Sequence, residues 1–169
     1  GPIASAALGP ILLVQPDAVP TAAADAVNDL DITIGYILGS DDAILPSVES
    51  DLRDLIEANG AIGTITERWG GDTRYDTAVI AVDAALDYRW LDLDTLGFAI
   101  GTNFPDALGG GAALGSYGSP VLLTDGTALS AATEDFLHSH RYEIGRTDVF
   151  GGDDVFTADV FTAISDRIY

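Results

Sequence analysis

Cysteine, lysine and methionine are absent from the 169-residue chain. Without cysteine, the chain cannot form disulfides, use a thiol nucleophile or ligate zinc through thiolates. Without lysine, it has no Gly-Lys-Ser/Thr phosphate loop. The two histidines, His138 and His140, lie almost side by side, which leaves little material for a histidine metal site or a separated catalytic pair. We therefore expect no cofactor and no metal, and the missing initiator methionine predicts a fragment or a processed chain.

Positive charge is also scarce. The chain has seven arginines and 27 acidic residues, which gives a formal net charge of −20. Such a surface repels phosphate backbones, so nucleic acid is not an expected partner. The acidity is compatible with simple solubility, with a salt-rich habitat or with a cation-binding surface. No apolar run approaches the roughly 20 residues that span a bilayer, so we expect no membrane insertion.

Short apolar runs alternate with helical patterns of about ten residues, and 47% of the chain is hydrophobic, enough for a core. The predicted strands cover residues 11–14, 32–38, 61–66, 95–101, 121–123 and 148–150. The predicted helices cover residues 21–30, 47–58, 74–86, 104–114, 130–138 and 157–168. This alternation predicts an α/β fold of βα repeats, with a parallel, Rossmann- or Toprim-like sheet flanked by helices.

An internal repeat organises the chain. Residues 9–14 match residues 119–124, and residues 38–44 match residues 150–156, at an offset of about 110. The later copy carries additional sequence in front, from Arg68 onward, that the earlier copy lacks. We therefore expect residues 1–66 to be the C-terminal half of a first repeat and residues 67–169 to be a complete second repeat. The sequence leaves open whether the two share one sheet.

The most distinctive segment is residues 68–78, Arg-Trp-Gly-Gly-Asp-Thr-Arg-Tyr-Asp-Thr-Ala. Its arginines, Arg68 and Arg74, match the geometry of carboxylate and phosphate groups, which favours an anionic ligand. The alternative is a structural role, in which they form salt bridges with Asp72, Asp76 or Asp106. Both interpretations stay open.

A second polar segment, residues 101–108, follows a predicted strand and opens a helix. This is the carboxyl end of a parallel strand, where α/β folds bind ligands, and a helix N-terminus offers free N–H groups. Asn103 is suited to capping the helix or binding a hydroxyl, and Asp106 in the first turn is favourable for structural reasons alone.

Other patterns favour structural roles. The apolar triplets Ile11-Leu12-Leu13 and Val121-Leu122-Leu123 are typical of buried central strands. Asp41-Asp42 and Asp153-Asp154 predict turns rather than calcium ligation. Gly109-Gly110-Gly111 lies inside a predicted helix, so we expect it to allow close helix–sheet packing rather than phosphate binding.

Four segments occur in the order typical of one family. They are Arg68 with residues 71–78, residues 103–108, residues 120–124 and residues 150–152. On them the chain resembles the cell wall binding repeat 2 family of secreted Gram-positive surface proteins. The first repeat matches more sparsely, through Pro10-Ile11-Leu12-Leu13 and Leu38-Gly39-Ser40, where Ser40 replaces the family's second glycine.

The resemblance implies a secreted, non-catalytic module at the cell surface that binds an anionic cell-wall polysaccharide and packs with other repeats, typically in threes. It also implies that the anchoring motif falls on Ile11-Leu12-Leu13 and on Val121-Leu122-Leu123. The predicted ligand-binding residues are Arg68, Arg74, Tyr75, Asn103, Asp106, Ile11, Leu12, Leu13, Val121, Leu122 and Leu123. We expect Arg68, Arg74, Tyr75 and Asn103 to converge near the start of the Phe104 helix.

Two alternatives remain. One is a fragment of a wall hydrolase or of a metal-dependent phosphoesterase, in which Asp106 would be essential. The other is a structural repeat for oligomeric assembly.

Overall fold

The computed structural model describes residues 1–60 and 66–168. These residues form seven helices and five strands in two parallel sheets, which confirms the α/β class. In chain order the elements are α1 (Pro2–Ala6), α2 (Thr21–Asp29), β1 (Gly35–Leu38), α3 (Pro46–Ala58), β2 (Thr66–Trp69), α4 (Arg74–Asp87), β3 (Thr95–Ile100), α5 (Phe104–Gly115), β4 (Val121–Thr124), α6 (Ala131–His140), β5 (Arg146–Phe150) and α7 (Ala158–Ile168).

The chain divides into two compact units. One contains Gly1–Pro10 together with Thr73–Tyr169, and the other contains Ile11–Asp72. The larger unit holds a three-stranded sheet of order β4-β3-β5, and the smaller unit holds the parallel pair β1-β2. In the described ranges no helix is both long and apolar enough to cross a membrane.

The core of the larger unit lies between its sheet and helices. Every residue from Leu96 to Ala99 is buried, because β3 is the central strand and is covered on both faces. Leu122 of β4, Leu137 of α6 and Val160 of α7 pack against it with no exposed surface.

The internal repeat is visible in the backbone. Gly39 follows β1 with φ of 143°, and Gly151 follows β5 with φ of 142°, a region that favours glycine. After each glycine the chain makes the same turn, with Ile44 N bonded to Ser40 O and Phe156 N bonded to Gly152 O, both at 3.0 Å. The two aspartate pairs lie in these turns, as predicted.

One predicted strand is wrong. Residues 11–14 have no strand conformation, and Ile11 and Leu13 are 62% and 83% exposed rather than buried. The matching segment of the second copy, β4, is a strand because it hydrogen-bonds to β3. Among the described residues no strand pairs with residues 11–14, and a lone strand leaves its backbone groups unpaired.

The remaining strand predictions differ mainly in their ends. The predicted strand at 61–66 falls outside the described residues except for Thr66, where β2 begins. Helix α1 was not predicted. It packs against α5, where Ser5 Oγ donates to Gly115 O at 3.2 Å.

Candidate ligand site at the carboxyl ends of the strands

The segment after β3 leads directly into α5. Asn103 is the N-cap residue of that helix, but its side chain makes no capping hydrogen bond and is exposed. Pro105 occupies the first turn, where its fixed φ is favourable. Asp106 follows in the same turn and is partly buried. The helix start therefore presents N–H groups and an amide side chain to solvent.

Helix α4 brings two further predicted residues to this segment. The Arg74 Nη1 atom donates to Gly101 O at 2.5 Å. The Tyr75 ring lies over the same glycine, since a Cβ there would sit 2.5 Å from Tyr75 Cε1. Gly101 is thus the residue that lets α4 and the loop before α5 approach. Arg74 and Tyr75 therefore contact the chain two residues before Asn103, and the predicted convergence of Arg68 with these residues stays a prediction.

A capping box fixes the start of α4. Asp76 N donates to Thr73 Oγ1 at 3.3 Å, and Thr73 N donates to Asp76 Oδ2 at 2.8 Å. Because Asp76 is used in this way, it does not pair with Arg74. Among the described residues no carboxylate lies within ion-pair distance of Arg74, whose partner is a neutral carbonyl, so its remaining N–H donors are available to a ligand.

Arg68 has different surroundings. It belongs to the smaller unit, where its Nη2 lies 2.9 Å and its Nε 3.0 Å from Glu49 Oε2. Its Nε also lies 3.2 Å from Asp41 Oδ1, and its Nη1 donates to Gly39 O at 2.8 Å. The contacts with Glu49 link β2 to α3, and those with Gly39 and Asp41 link β2 to the turn after β1. The carboxylate partners are Glu49 and Asp41 rather than the aspartates considered from the sequence.

The two apolar triplets differ in how deeply their side chains are buried. In Val121-Leu122-Leu123 the central residue is fully buried, while its neighbours are half-buried in β4. In Ile11-Leu12-Leu13 the first and last side chains are exposed. Ile11 and Leu13 therefore expose apolar surface, whereas Leu122 packs in the core.

A groove of about 460 Å³ between α4 and α6 was missed by sequence reasoning. In it, His140 Nε2 lies 3.5 Å from Asp83 Oδ1, and His140 Nδ1 lies 3.4 Å from Glu143 Oε1. Partial burial raises the pKa of the Asp83 carboxyl, although His140 opposes the shift. The only available hint was the spacing of Phe136 and His140, whose rings pack 4.4 Å apart on one face of α6.

This groove does not form an evident catalytic or metal centre. The neighbouring Ser139 hydroxyl donates to Asp135 O at 2.9 Å along its own helix, so it is not aligned with His140. In the part of the chain that the structure describes, no three histidine or acidic side chains are placed to hold a metal ion.

The structure is similar to Cwp6 from Clostridium difficile, with a TM-score of 0.81 and 21% sequence identity. The match covers 98% of this chain and 25% of Cwp6, so the chain corresponds to a quarter of that protein. No curated protein matches the sequence.

The family model described as cell wall binding domain 2 matches residues 68–161, which is more than half of the chain. The matched range contains Arg74, Tyr75 and the whole segment that opens α5. The chain belongs to the cell wall binding domain 2 family.

Proposed function

We propose that this chain is a non-catalytic module that anchors a larger secreted protein to an anionic polysaccharide of the cell wall. Family membership supports the wall as the target. The polymer class rests on one observation: on a chain with a net charge of −20, Arg74 lies beside a helix N-terminus without a carboxylate partner among the described residues.

The arrangement suits an oxyanion. Arg74 keeps its Nε and Nη2 donors for a phosphate or carboxylate, since only Nη1 is bonded to Gly101 O. The start of α5 adds backbone N–H groups and partial positive charge. Tyr75 supplies an aromatic face beside Gly101, and the Asn103 amide can bind a sugar hydroxyl. In this proposal the half repeat, residues 1–66, and the complete repeat, residues 67–169, both belong to the anchoring platform.

Sedimentation with cell walls tests the proposal. The parent chain is expected to pellet with Gram-positive walls and to stay in solution with walls stripped of their secondary polymer by hydrofluoric acid. Arg74→Ala is expected to weaken attachment about tenfold or more, because hydrogen bonds between charged groups contribute roughly 1.5–3 kcal/mol. Arg74→Lys keeps the charge but loses the planar fork, so an intermediate loss is expected.

The matched control is Arg167→Ala. It removes the same charge from the last turn of α7, where Arg167 is paired with Glu134 of α6. It should attach as the parent does. Equal binding by Arg74→Ala and the parent, or unfolding of Arg74→Ala in a thermal melt, contradicts the site. Failure of the parent to pellet with intact walls contradicts the function.

A second candidate function is assembly with other repeats. Phe104 and Leu108 lie one turn apart on α5 and are 72% and 65% exposed, more than expected for large apolar side chains. Light scattering over a concentration series separates the two functions. Self-association abolished by Leu108→Ser, with no wall attachment in the parent, would favour assembly.

A further inference from the structure

Three loops meet at the amino ends of β3, β4 and β5, the edge of the sheet opposite to Arg74. They are residues 88–94, 116–120 and 141–145, each of which joins a helix to the next strand. Asp92 N donates to Gly118 O, and Gly145 N donates to Leu93 O, both at 3.0 Å. A Cβ on Gly145 would lie 2.8 Å from Asp94 O, so the loops pack closely. We call these loops the amino edge.

The amino edge carries much of the chain's aromatic surface. The rings of Tyr88 and Trp90 are stacked with centroids 4.7 Å apart, and Tyr88 is 43% exposed. Tyr117 is 78% exposed on the loop before β4, and Tyr142 is 88% exposed on the loop before β5. Because β4 and β5 flank β3, these aromatic groups follow the order of the strands across the edge.

Two arginines accompany the aromatic rings. The Arg141 guanidinium lies 4.4 Å from the centre of the Tyr142 ring and donates to the Tyr142 hydroxyl at 3.1 Å. Arg89 lies between the stacked Tyr88 and Trp90 in sequence and is exposed. Within the described ranges neither arginine has a carboxylate at ion-pair distance, although acidic residues outnumber arginines 27 to 7.

Arg89 is also held in an unfavourable backbone conformation. Its φ is 58°, in the left-handed region that glycine normally occupies after a helix. Arg89 N donates to Leu86 O and Trp90 N donates to Ala85 O, both at 2.9 Å, which closes the end of α4. Glycine would be less strained at this position, and the Arg89 side chain is exposed at the amino edge.

We propose that the amino edge is a second glycan-binding surface, on which sugar rings of the wall polymer stack against Tyr88, Tyr117 and Tyr142. Arg89 and Arg141 donate hydrogen bonds to oxygens of the same polymer. The inference rests on the proposed wall-binding function and adds a contact surface on the other edge of the sheet. Asp87, Asp92, Asp94 and Glu143 also lie at this end, so stacking rather than net charge drives the contact.

Substitution of the two most exposed tyrosines tests the stacking. Tyr117→Ala with Tyr142→Ala is expected to weaken wall attachment about tenfold, since an aromatic contact contributes roughly 0.5–1.5 kcal/mol beyond its buried area. Tyr117→Phe with Tyr142→Phe keeps both ring faces and should bind within about twofold of the parent. Equal losses in the two double variants, or no loss in either, would overturn the stacking role.

Arg89→Gly separates binding from folding. Glycine adopts the left-handed conformation without strain, so the melting temperature is expected to equal or exceed that of the parent. Wall attachment should nevertheless fall several-fold. If attachment is unchanged, Arg89 does not contribute to glycan binding and its assigned role is overturned.

The outcomes also distinguish the two proposals. If the parent does not pellet with walls, both fail. Suppose instead that the parent pellets and that Arg74→Ala weakens wall attachment. If the double tyrosine-to-alanine variant and Arg89→Gly then bind as the parent does, only the amino-edge proposal is rejected. Tryptophan fluorescence with solubilised wall polysaccharide gives an independent readout. Bound polysaccharide should protect Trp90 from quenching by acrylamide. Trp69 contributes little to the quenching because it is only 5% exposed.

Discussion

Two neighbouring glycines of α5 lie in very different surroundings. A Cβ on Gly110 would sit 2.5 Å from Phe150 Cδ2 and 2.6 Å from its Cγ, whereas a Cβ on Gly109 would meet nothing within 4 Å. The ring carbon nearest the backbone cannot move aside without shifting β5. The close helix–sheet approach predicted from the glycine run is therefore confirmed at Gly110.

Alanine substitutions at these positions should have opposite effects. Gly110→Ala is expected to lower the free energy of unfolding by about 1–3 kcal/mol through overpacking. Gly109→Ala should raise it by about 0.5–1 kcal/mol, because alanine is the better helix former. Urea denaturation measures both, and effects of the same sign would contradict the packing described.

Asp83 gives the stability of the chain a pH dependence. Its pKa is raised above the ordinary 3.8, first by partial desolvation, with Asp87 adding to the shift and His140 opposing it. The folded chain thus holds this proton more tightly than the unfolded chain. The resulting stabilisation is complete below pH 3.8 and is lost as pH rises through the folded pKa.

Asp83→Asn should remove the loss of stability that the titration of Asp83 causes as pH rises. The variant's free energy of unfolding is expected to fall less than the parent's over the acid range just above pH 3.8. Asp166→Asn, an exposed aspartate of α7, is the charge-matched control and should follow the parent. Urea titrations at a series of pH values measure the difference, and a parallel pH profile for Asp83→Asn and the parent would rule out this contribution.

At the level of helices and strands, α4 depends on its first turn. Thr73→Ala deletes the side-chain half of the capping box and is expected to cost about 1 kcal/mol. Thr73→Ser keeps the hydroxyl and should cost only a few tenths of that. Thermal melts followed by circular dichroism would show the ranking, and identical melting temperatures for the two variants would contradict it.

The pattern of apolar residues was sufficient for elements whose neighbours are close in sequence. It predicted α2 through α7 because a helix buried on one face shows a helical period, and it predicted β1, β3, β4 and β5 because strands of a covered parallel sheet read as short apolar runs. It failed at residues 11–14, since an apolar run forms a strand only where another strand can pair with it. No local pattern indicates whether that partner exists.

The candidate site was predictable to a similar extent. Arg74, Tyr75 and the start of α5 meet because each lies at a strand's carboxyl end or at the helix start beside it. The partners of Arg68 were not predictable, because Glu49 is brought close by the packing of α3 on β1 rather than by any motif. That Arg74 and Tyr75 bind a ligand stays a prediction.

At the scale of the whole molecule, the net charge of −20 should govern the response to salt. A chain and a polymer of the same sign repel over about 30 Å at 0.01 M salt, but over only about 10 Å at 0.1 M. Wall attachment is therefore expected to strengthen from 10 to about 150 mM NaCl, and divalent cations should act at lower concentration. Sedimentation at increasing salt measures this, and a steady decline with salt would indicate ordinary ion pairing.

The larger unit is discontinuous in sequence, and this has a consequence for the order of folding. Ser5 contacts Gly115 across 110 residues, so α1 can dock only after α5 has formed. A five-residue helix has little stability of its own, so α1 becomes stable only by packing against α5. Docking of α1 should thus be the last step of folding, and its release the first step of unfolding.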